Sequence, residues 1–582
     1  MHTFCVWAPL PKRVEVRIGA ECFPMSVNEE GGWTAAVAAA NPGSDYGFIL
    51  DGQGPFPDPR SPWQPQGIDG PSRLLRHADF KWTDANWQAP PLSSAVIYEC
   101  HVGTFTPQGT FGAVIEKLDY LAGLGVTHLE LMPVNEFSGA RGWGYDGVDL
   151  CAPHHTYGGP EQLKRLVDAC HAHRLAVLLD VVYNHVGPVG NYLGKYAPYF
   201  SRRYSSPWGG GLNFDGADCG QVRRFFCDNA LMWLRDYHFD GLRLDAVHGI
   251  VDASAIPFLE QLAVEVEQLQ AQLNRPLVLI PESDLNDPRL LWGRDRGGFG
   301  LHAQWSDDFH HALHSVLTGE KHGYYSDFGT LADVAKALTN AFVFDGGYSA
   351  HRRRPHGRPP TGLDGRRFVG YIQNHDQVGN RAQGERSSRL MGPGRLKIAA
   401  ALVMTSPFIP LLFQGEEWGA ATPFLYFTDH QDPALGRQVR EGRRRELASY
   451  GWNQGDFHDP QARKTFEQCK LDWSEPLQPF HAEMLDWHRR LIDLRRTEPA
   501  VCDSRMTLIQ TRLNESEQWL LVERPSCVVA CNLGGTPRQI QLSGGNRRVL
   551  MSSPPVKGLD NTSVTLAPDA VAILKLNSDA AR

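Results

Sequence analysis

The 582-residue chain has no apolar run long enough to cross a bilayer, so a spanning helix is not expected. It lacks a basic excess. The net charge is -8, and the only compact basic runs are Arg352 to Arg354 and Arg443 to Arg445, so nucleic acid is not an expected partner. Paired cysteine spacing is missing as well. The 11 cysteines are odd in number and scattered, and the nearest pair, Cys527 and Cys531, fits neither a zinc knuckle nor a Cys-x-x-Cys redox motif. The opening Phe4-Cys-Val-Trp-Ala-Pro9 has no charged n-region and no long apolar h-region, which sets the expectation of a reducing, cytoplasmic setting. Internal repeats and low-complexity segments are absent.

What is present is ordinary globular material in quantity. Hydrophobic residues make up 42% and charged residues 21%, enough for a large core divided among two to four domains of about 100–200 residues each. Tryptophan (15) and glycine (58) are abundant, which suits both sugar stacking and a large barrel.

Residues 1–90 read as β throughout, with strands at Phe4 to Trp7, Val14 to Ile18, Trp33 to Val37 and Tyr46 to Leu50, then a proline-rich connector from Pro55 to Pro65. From Ala95 the pattern alternates. Apolar strands at Ala95 to Glu99, Val126 to Met132, Leu175 to Asp180, Leu242 to Asp245, Leu277 to Glu282, Phe368 to Gln373 and Ile409 to Phe413 are separated by helical spacing. One helix is read over Phe111 to Leu124 and another opens at Pro160, a favoured first position. Strand–helix alternation over this length predicts an α/β chain with a (β/α)8 TIM barrel across 91–497, closed by the helix Phe480 to Arg496. Gly323 to Pro360 breaks the pattern and reads as a surface excursion near the site. Residues 498–582 return to β, with strands at Met506 to Thr511, Trp519 to Val522, Cys527 to Asn532 and Val564 to Leu576, predicting a closing sandwich.

The centre of this plan is Leu242-Arg243-Leu244-Asp245. In a strand, Leu242 and Leu244 share one face and Arg243 and Asp245 the other. The arginine then favours an ionised, directed carboxylate, as a glycosidase nucleophile requires; the alternative is a structural Arg–Asp pair. Val278, Ile280 and Glu282 share parity, so Glu282 points where Asp245 does. Asp180-Val-Val-Tyr-Asn-His185 and Gln373-Asn-His-Asp376 follow two other strands. Alone, His185 reads as a core histidine, Asp376 as a helix cap and Glu282 as a surface acid; together at strand C-terminal ends they make a catalytic mouth.

These residues carry a resemblance. Asp180 to His185, Gly241 to Asp245, Glu282 and Asn374-His-Asp376 resemble the four hallmark regions of the α-amylase family of glycoside hydrolases, in order and in strand position. Phe4 to Pro9 resembles the start of the N-terminal sandwich of isoamylases and branching enzymes. The resemblance implies that Asp245 is the nucleophile, Glu282 the general acid/base and Asp376 the transition-state stabiliser. It also implies that Tyr145, His185, Arg243 and His375 hold the sugar. Phe225 to Gly249, Pro423 to His430 and Leu435 to Glu441 are similar to the trehalose-releasing members, which cut the α-1,4 bond beside a terminal trehalose unit of a maltooligosyl chain. Trp143, His248, Asp308, His311, Gln377 and Arg381 flank the catalytic ends and are the candidates for the trehalose side, with Trp305-Ser-Asp-Asp-Phe309 the strongest segment. Ordinary loop packing is the competing reading for each of them. Asn184 matches a position that binds calcium in some relatives, but no further acidic ligands accompany it, so no metal and no cofactor is expected. The expected partners are maltooligosyltrehalose and related α-glucans, handled by a monomer. The near rival is a branching or debranching enzyme of the same family. A non-catalytic carbohydrate-binding relative is disfavoured because all three acids are present.

Overall fold

The computed structural model describes residues 1–206, 209–449 and 457–577. Its centre is a parallel sheet of eight strands: β1 (Ile97–Cys100), β2 (His128–Leu131), β3 (Ala176–Val181), β4 (Gly241–Leu244), β5 (Val278–Pro281), β6 (Gln304–Trp305), β7 (Phe368–Gly370) and β8 (Ile409–Phe413). Each strand pairs with its neighbour in sequence except β5 and β6, and β8 pairs back onto β1. Between β5 and β6 the ladder is sparse. The His302 amide donates to the Leu279 carbonyl at 3.0 Å, and the Gln304 side chain donates to the Ser283 carbonyl at 3.1 Å. The sheet is a nearly closed barrel.

Side-chain parity decides what fills it. Ile97, Leu178, Ile280, Trp305, Val369, Tyr371, Ile409 and Leu411 pack together in the interior. The alternate residues Tyr98, Leu129, Leu179, Leu242, Leu244 and Leu279 belong to the outer core under the helices. Leu242 and Leu244 therefore face the helices, and Arg243 faces the axis, as alternation in a strand dictates. Helix Gly159–Ala172 shows how the outer layer is built. Pro160 occupies its first turn, and Leu163, Leu166, Val167 and Cys170 form one buried face.

The strand ends fall within a few residues of the sequence expectations, with three corrections. The helix read over 111–124 is two pieces, Phe111–Ile115 and Leu118–Leu124, because the backbone leaves helical geometry at Lys117. The strand read over 564–576 is also two, Ser563–Leu566 and Ala570–Leu576, divided by a turn in which Asp569 has a φ of 46°. The strand expected from Met506 begins as a 3-10 turn and becomes extended only at Gln510–Asn514.

Ahead of the barrel lie two antiparallel sheets of the N-terminal segment, His2–Trp7 with Gly32–Val37, and Val14–Ile18 with Asp45–Leu50. Behind it, a five-stranded and a three-stranded sheet form the C-terminal β region. The excursion after Gly323 holds helix Leu331–Asn340 and a small hairpin, Tyr348–Ser349 with Arg354–Pro355. Arg352 of that hairpin reaches Asp284, just beyond β5, at 3.5 Å.

At the N-terminal end of the barrel the segment 82–87 is clamped in place. Asp84 Oδ2 accepts from His171 Nδ1 and His238 Nδ1, each at 2.8 Å. His171 Nε2 meets Asp240 Oδ2 at 3.0 Å, and Asp240 Oδ1 accepts from Trp87 Nε1 at 2.8 Å. Trp82 stacks on His238 and Trp87 on His171, with ring centroids 3.7 and 4.5 Å apart. Among the described residues no helix is long and apolar enough to cross a membrane.

Candidate active site

Arg243 is the hub of the barrel mouth. Its side chain is fully buried and stacks on Trp305, 4.3 Å from the ring centroid. Nη1 donates to Asp245 Oδ1 at 2.9 Å and to both oxygens of Asp180, at 3.0 and 2.8 Å. Nη2 lies 2.9 Å from Glu282 Oε2, an ion-pair separation in which the N–H is not aligned for a hydrogen bond. One guanidinium thus touches three carboxyls from β3 and from the ends of β4 and β5. That places Asp245 and Glu282 on the same side of the sheet wall, at its C-terminal rim.

Each acid is further fixed. Asn184 Nδ2 donates to Asp245 Oδ2 at 2.7 Å and to the Asp245 carbonyl at 2.8 Å. The Ala246 amide donates to Glu282 Oε2 at 2.7 Å. Ala246 has a φ of 37°, so the chain turns sharply to aim that amide. Burial raises the pKa of Glu282, with Asp245 and Asp376 adding to it and Arg243 opposing. Burial also pushes Asp180 up to about 7 against the pull of Arg243.

On the far side of the mouth, Asp376 sits in the first turn of helix His375–Gly379, its side chain 40% exposed to the cleft. His375 Nδ1 pairs with Glu99 Oε1, and its backbone amide donates to Glu99 Oε2 at 3.0 Å. Its Nε2 is 2.8 Å from the Tyr145 hydroxyl, which donates to Asp180 Oδ2 at 2.6 Å. Burial disfavours charge on His375, but Glu99 and Asp376 hold its pKa up to about 9. Both ring nitrogens then donate, and Glu99, His375, Tyr145, Asp180 and Arg243 form one continuous chain beneath Asp245 and Glu282.

The other candidates from the sequence divide. His185 is at the site's edge, its Nδ1 2.5 Å from Asn184 Oδ1 and its Nε2 3.0 Å from the Tyr145 carbonyl. His248 faces the cleft beyond β4, 30% exposed and 3.9 Å from Asp284. Gln377 spends its side-chain oxygen on the Asn374 amide as part of a capping box. Trp143 is a wall rather than an open face: it stacks on Phe424 and donates to the Leu425 carbonyl at 2.9 Å. Three others turn away from the cleft. Asp308 accepts from the Val343 and Phe344 amides and from Asn286, at 2.7, 2.8 and 2.9 Å, so it pins the excursion loop instead of facing a sugar. His311 is enclosed by Tyr324, Tyr325 and Phe328, and burial drives its pKa down to about 3. Arg381 is held by Glu320 through two bonds of 2.8 and 2.7 Å.

Sequence reasoning passed over Asp307. It borders the cleft, accepts from the Tyr371 hydroxyl at 2.6 Å, and is pushed up to about 8, chiefly by burial. Consecutive helical residues point about 100° apart, so Asp307 and Asp308 could not both face the site. Glu99 was also missed, although its place on β1, at the same parity as Ile97, could have revealed it. Asn184 Oδ1 is engaged by His185 and its amide by Asp245.

This arrangement, two carboxyls on one arginine with a third facing them, suits acid-assisted displacement at an anomeric carbon. The comparisons agree. An alpha amylase catalytic-domain model matches residues 77–204. The chain is 46% identical over 581 residues to a malto-oligosyltrehalose trehalohydrolase of Mycobacterium tuberculosis, covering 99% of both. It is 43% identical over 543 residues to that of Saccharolobus solfataricus, covering 93% and 92%. A Salmonella typhimurium structure assigned to the alpha amylases aligns with a TM-score of 0.91 at 38% identity, over 98% of this chain and 97% of that one. A pullulanase of Paenibacillus barengoltzii, at 19% identity and a TM-score of 0.73 over 99% and 93%, shares the fold. With that identity spread along almost its whole length, the chain belongs to the malto-oligosyltrehalose trehalohydrolases, within the α-amylase family.

Proposed function

We propose that this protein is a retaining glycoside hydrolase that cuts the α-1,4 bond next to the terminal trehalose of maltooligosyltrehalose, releasing trehalose and a maltooligosaccharide. The observation that carries the reading is the placement of Asp245 and Glu282 on one buried guanidinium at the barrel's C-terminal rim. Asp245 attacks the anomeric carbon of the maltooligosyl unit. Glu282, kept protonated by its burial, gives its proton to the departing oxygen, and trehalose leaves. Glu282, now ionised, takes a proton from water, the water oxygen bonds to the same carbon, and the ester to Asp245 breaks with the original configuration restored. Asp376 faces the developing positive charge. Arg243, Tyr145, His185 and His375 shape the floor beneath the sugar.

On the trehalose side, His248 remains the exposed member of the expected set and Gln377 a half-buried one, and Asp307 joins them as a neutral acid able to donate to a hydroxyl. Trp143 lines the wall, while Asp308, His311 and Arg381 act from behind through the loops they hold. Residues 1–90 and 498–582 serve as β walls at either end of the barrel unit 91–497, and the enzyme works as a monomer in the cytoplasm. The deciding experiment incubates the purified protein with maltooligosyltrehalose and, separately, with amylopectin. Free trehalose from the first, with far slower attack on the second, is expected. Branching or debranching of amylopectin without trehalose release would overturn the assignment.

A further inference from the structure

Strand Asn135–Glu136 pairs antiparallel with Asp149–Pro153, and the turn that follows brings two histidines back against the first strand. Among the described residues, Glu136, His154 and His155 each offer a donor atom within 4.8 Å of the other two. Glu136 Oε1 is 2.7 Å from His155 Nδ1 and 3.6 Å from His154 Nε2. The side chains of Glu136 and His154 have no exposure at all, and His154 Nε2 has no well-aligned hydrogen bond, the Phe137 and Gly139 carbonyls being the backbone groups that draw on the ring. Leaving such an atom unpaired costs about 1–3 kcal/mol. Two orphans, Asn135 Nδ2 and Asp149 Oδ2, lie on the same pair of strands. This polar pocket plays no part in the reaction derived above.

We propose that Glu136, His154 and His155 bind one late first-row divalent cation, zinc by preference. Two imidazoles and a carboxylate are a zinc-type donor set, whereas calcium and magnesium call for oxygen cages. Bonds of about 2.1 Å in tetrahedral array put donor atoms about 3.4 Å apart. The His154–Glu136 separation is already near that value. The Glu136–His155 pair opens by less than 1 Å as the ion replaces the shared proton, which is released to solvent.

The surroundings support the ligands. His154 Nδ1 is 2.8 Å from Thr156 Oγ1, which in turn lies 3.4 Å from the Ala140 carbonyl. Nδ1 at present accepts from the Thr156 amide at 3.3 Å, so binding the ion on Nε2 moves the ring proton to Nδ1, where Thr156 Oγ1 can take it as the outer bond that orients a metal-bound imidazole. Glu136 Oε2 is fixed by the His155 amide at 2.9 Å. Phe137 stacks on His154, with centroids 3.8 Å apart, as a dry wall, and the 29% exposure of His155 gives an entry path. The ion would staple the two ends of the segment 136–155, which carries Tyr145, making the site structural.

The test uses untagged full-length protein expressed with zinc in the medium and purified without metal resin. Stoichiometric bound zinc is expected, along with visible d–d bands when cobalt replaces it. A chelator should lower the melting midpoint of the wild type and leave His155→Gln unmoved. Thr156→Val should keep the site but weaken it by about 10–100-fold in zinc titration. Metal that dialyses away freely, with no cobalt bands and no chelator effect on melting, would overturn the proposal. So would equal zinc retention by wild type and His155→Gln, which marks adventitious surface metal.

Discussion

The two ends of the barrel use the same chemical parts to opposite effect. At the N-terminal end, Asp84 and Asp240 are matched by His171 and His238, with two indoles closing over them. Despite the cost of burial, the hydrogen bonds from both imidazoles hold Asp84 well below the usual carboxylate range, and the two aspartates raise His171. At the C-terminal end, Glu99, Asp180, Asp245, Glu282 and Asp376 crowd around Arg243 and His375 alone. There the carboxyls outnumber the cations. Burial dominates, and Glu282, Asp180 and Asp307 are all raised. A balanced cluster is a clamp. An acid-rich one retains protons that chemistry can use.

The sharpest way to break this contrast is at the mouth. Asp245→Asn should reduce trehalose release on the order of 10,000-fold or more while substrate still binds by calorimetry. Substantial turnover in that variant would remove Asp245 from the role. Next, Arg243→Met and Asp84→Asn each break a buried pair, worth about 3–5 kcal/mol. Denaturant melts should show both losses, but kcat should collapse only for the first. If Asp84→Asn impaired kcat as deeply, the two ends would not be separate devices. A smaller effect is expected from Asp307→Asn, about tenfold on kcat/KM for maltooligosyltrehalose, the size of one hydrogen bond to a neutral acid. Asp308→Asn should act on stability instead; the reverse pattern would exchange the roles given to these neighbours.

The smallest expected signal is in pH. His171 has a raised folded pKa, so its contribution is complete below the unfolded value of about 6.5 and fades as pH rises through the folded one. Asp84 is depressed, so its contribution is complete above about 3.9 and is lost as pH falls toward the folded value. The clamp is firmest between roughly pH 4 and 6.5. His171→Asn should flatten the alkaline decline of the melting midpoint; an unchanged slope would show that other groups set it.

Strand parity was legible in the sequence because it is a local rule. Leu242 and Leu244 against Arg243 and Asp245, and Ile280 with Glu282, could be read from alternation alone, and each lies on the face so assigned. The motif residues after β3, β4, β5 and β7 gather at one mouth for the same reason. What failed depended on rotation and on distant partners. Choosing Asp308 over Asp307 needed the phase of helix Asp307–Thr318, which the sequence leaves open until the Val343 and Phe344 amides, 35 and 36 residues away, claim one carboxylate. The break at Lys117 and the turn near Asp569 likewise follow no local apolar signal. The N-terminal clamp joins residues from positions 84, 171, 238 and 240, and no short motif contains it.

The sparse ladder between β5 and β6 bears on the proton donor itself. Glu282 follows the strand whose outer edge is the least stitched in the whole cylinder. Its resting place is therefore owed to Ala246 and Arg243, both contributed from β4 or the turn after it, more than to its own flank. Slippage at that seam would carry the donor away from the leaving oxygen while the attacking carboxylate stayed still.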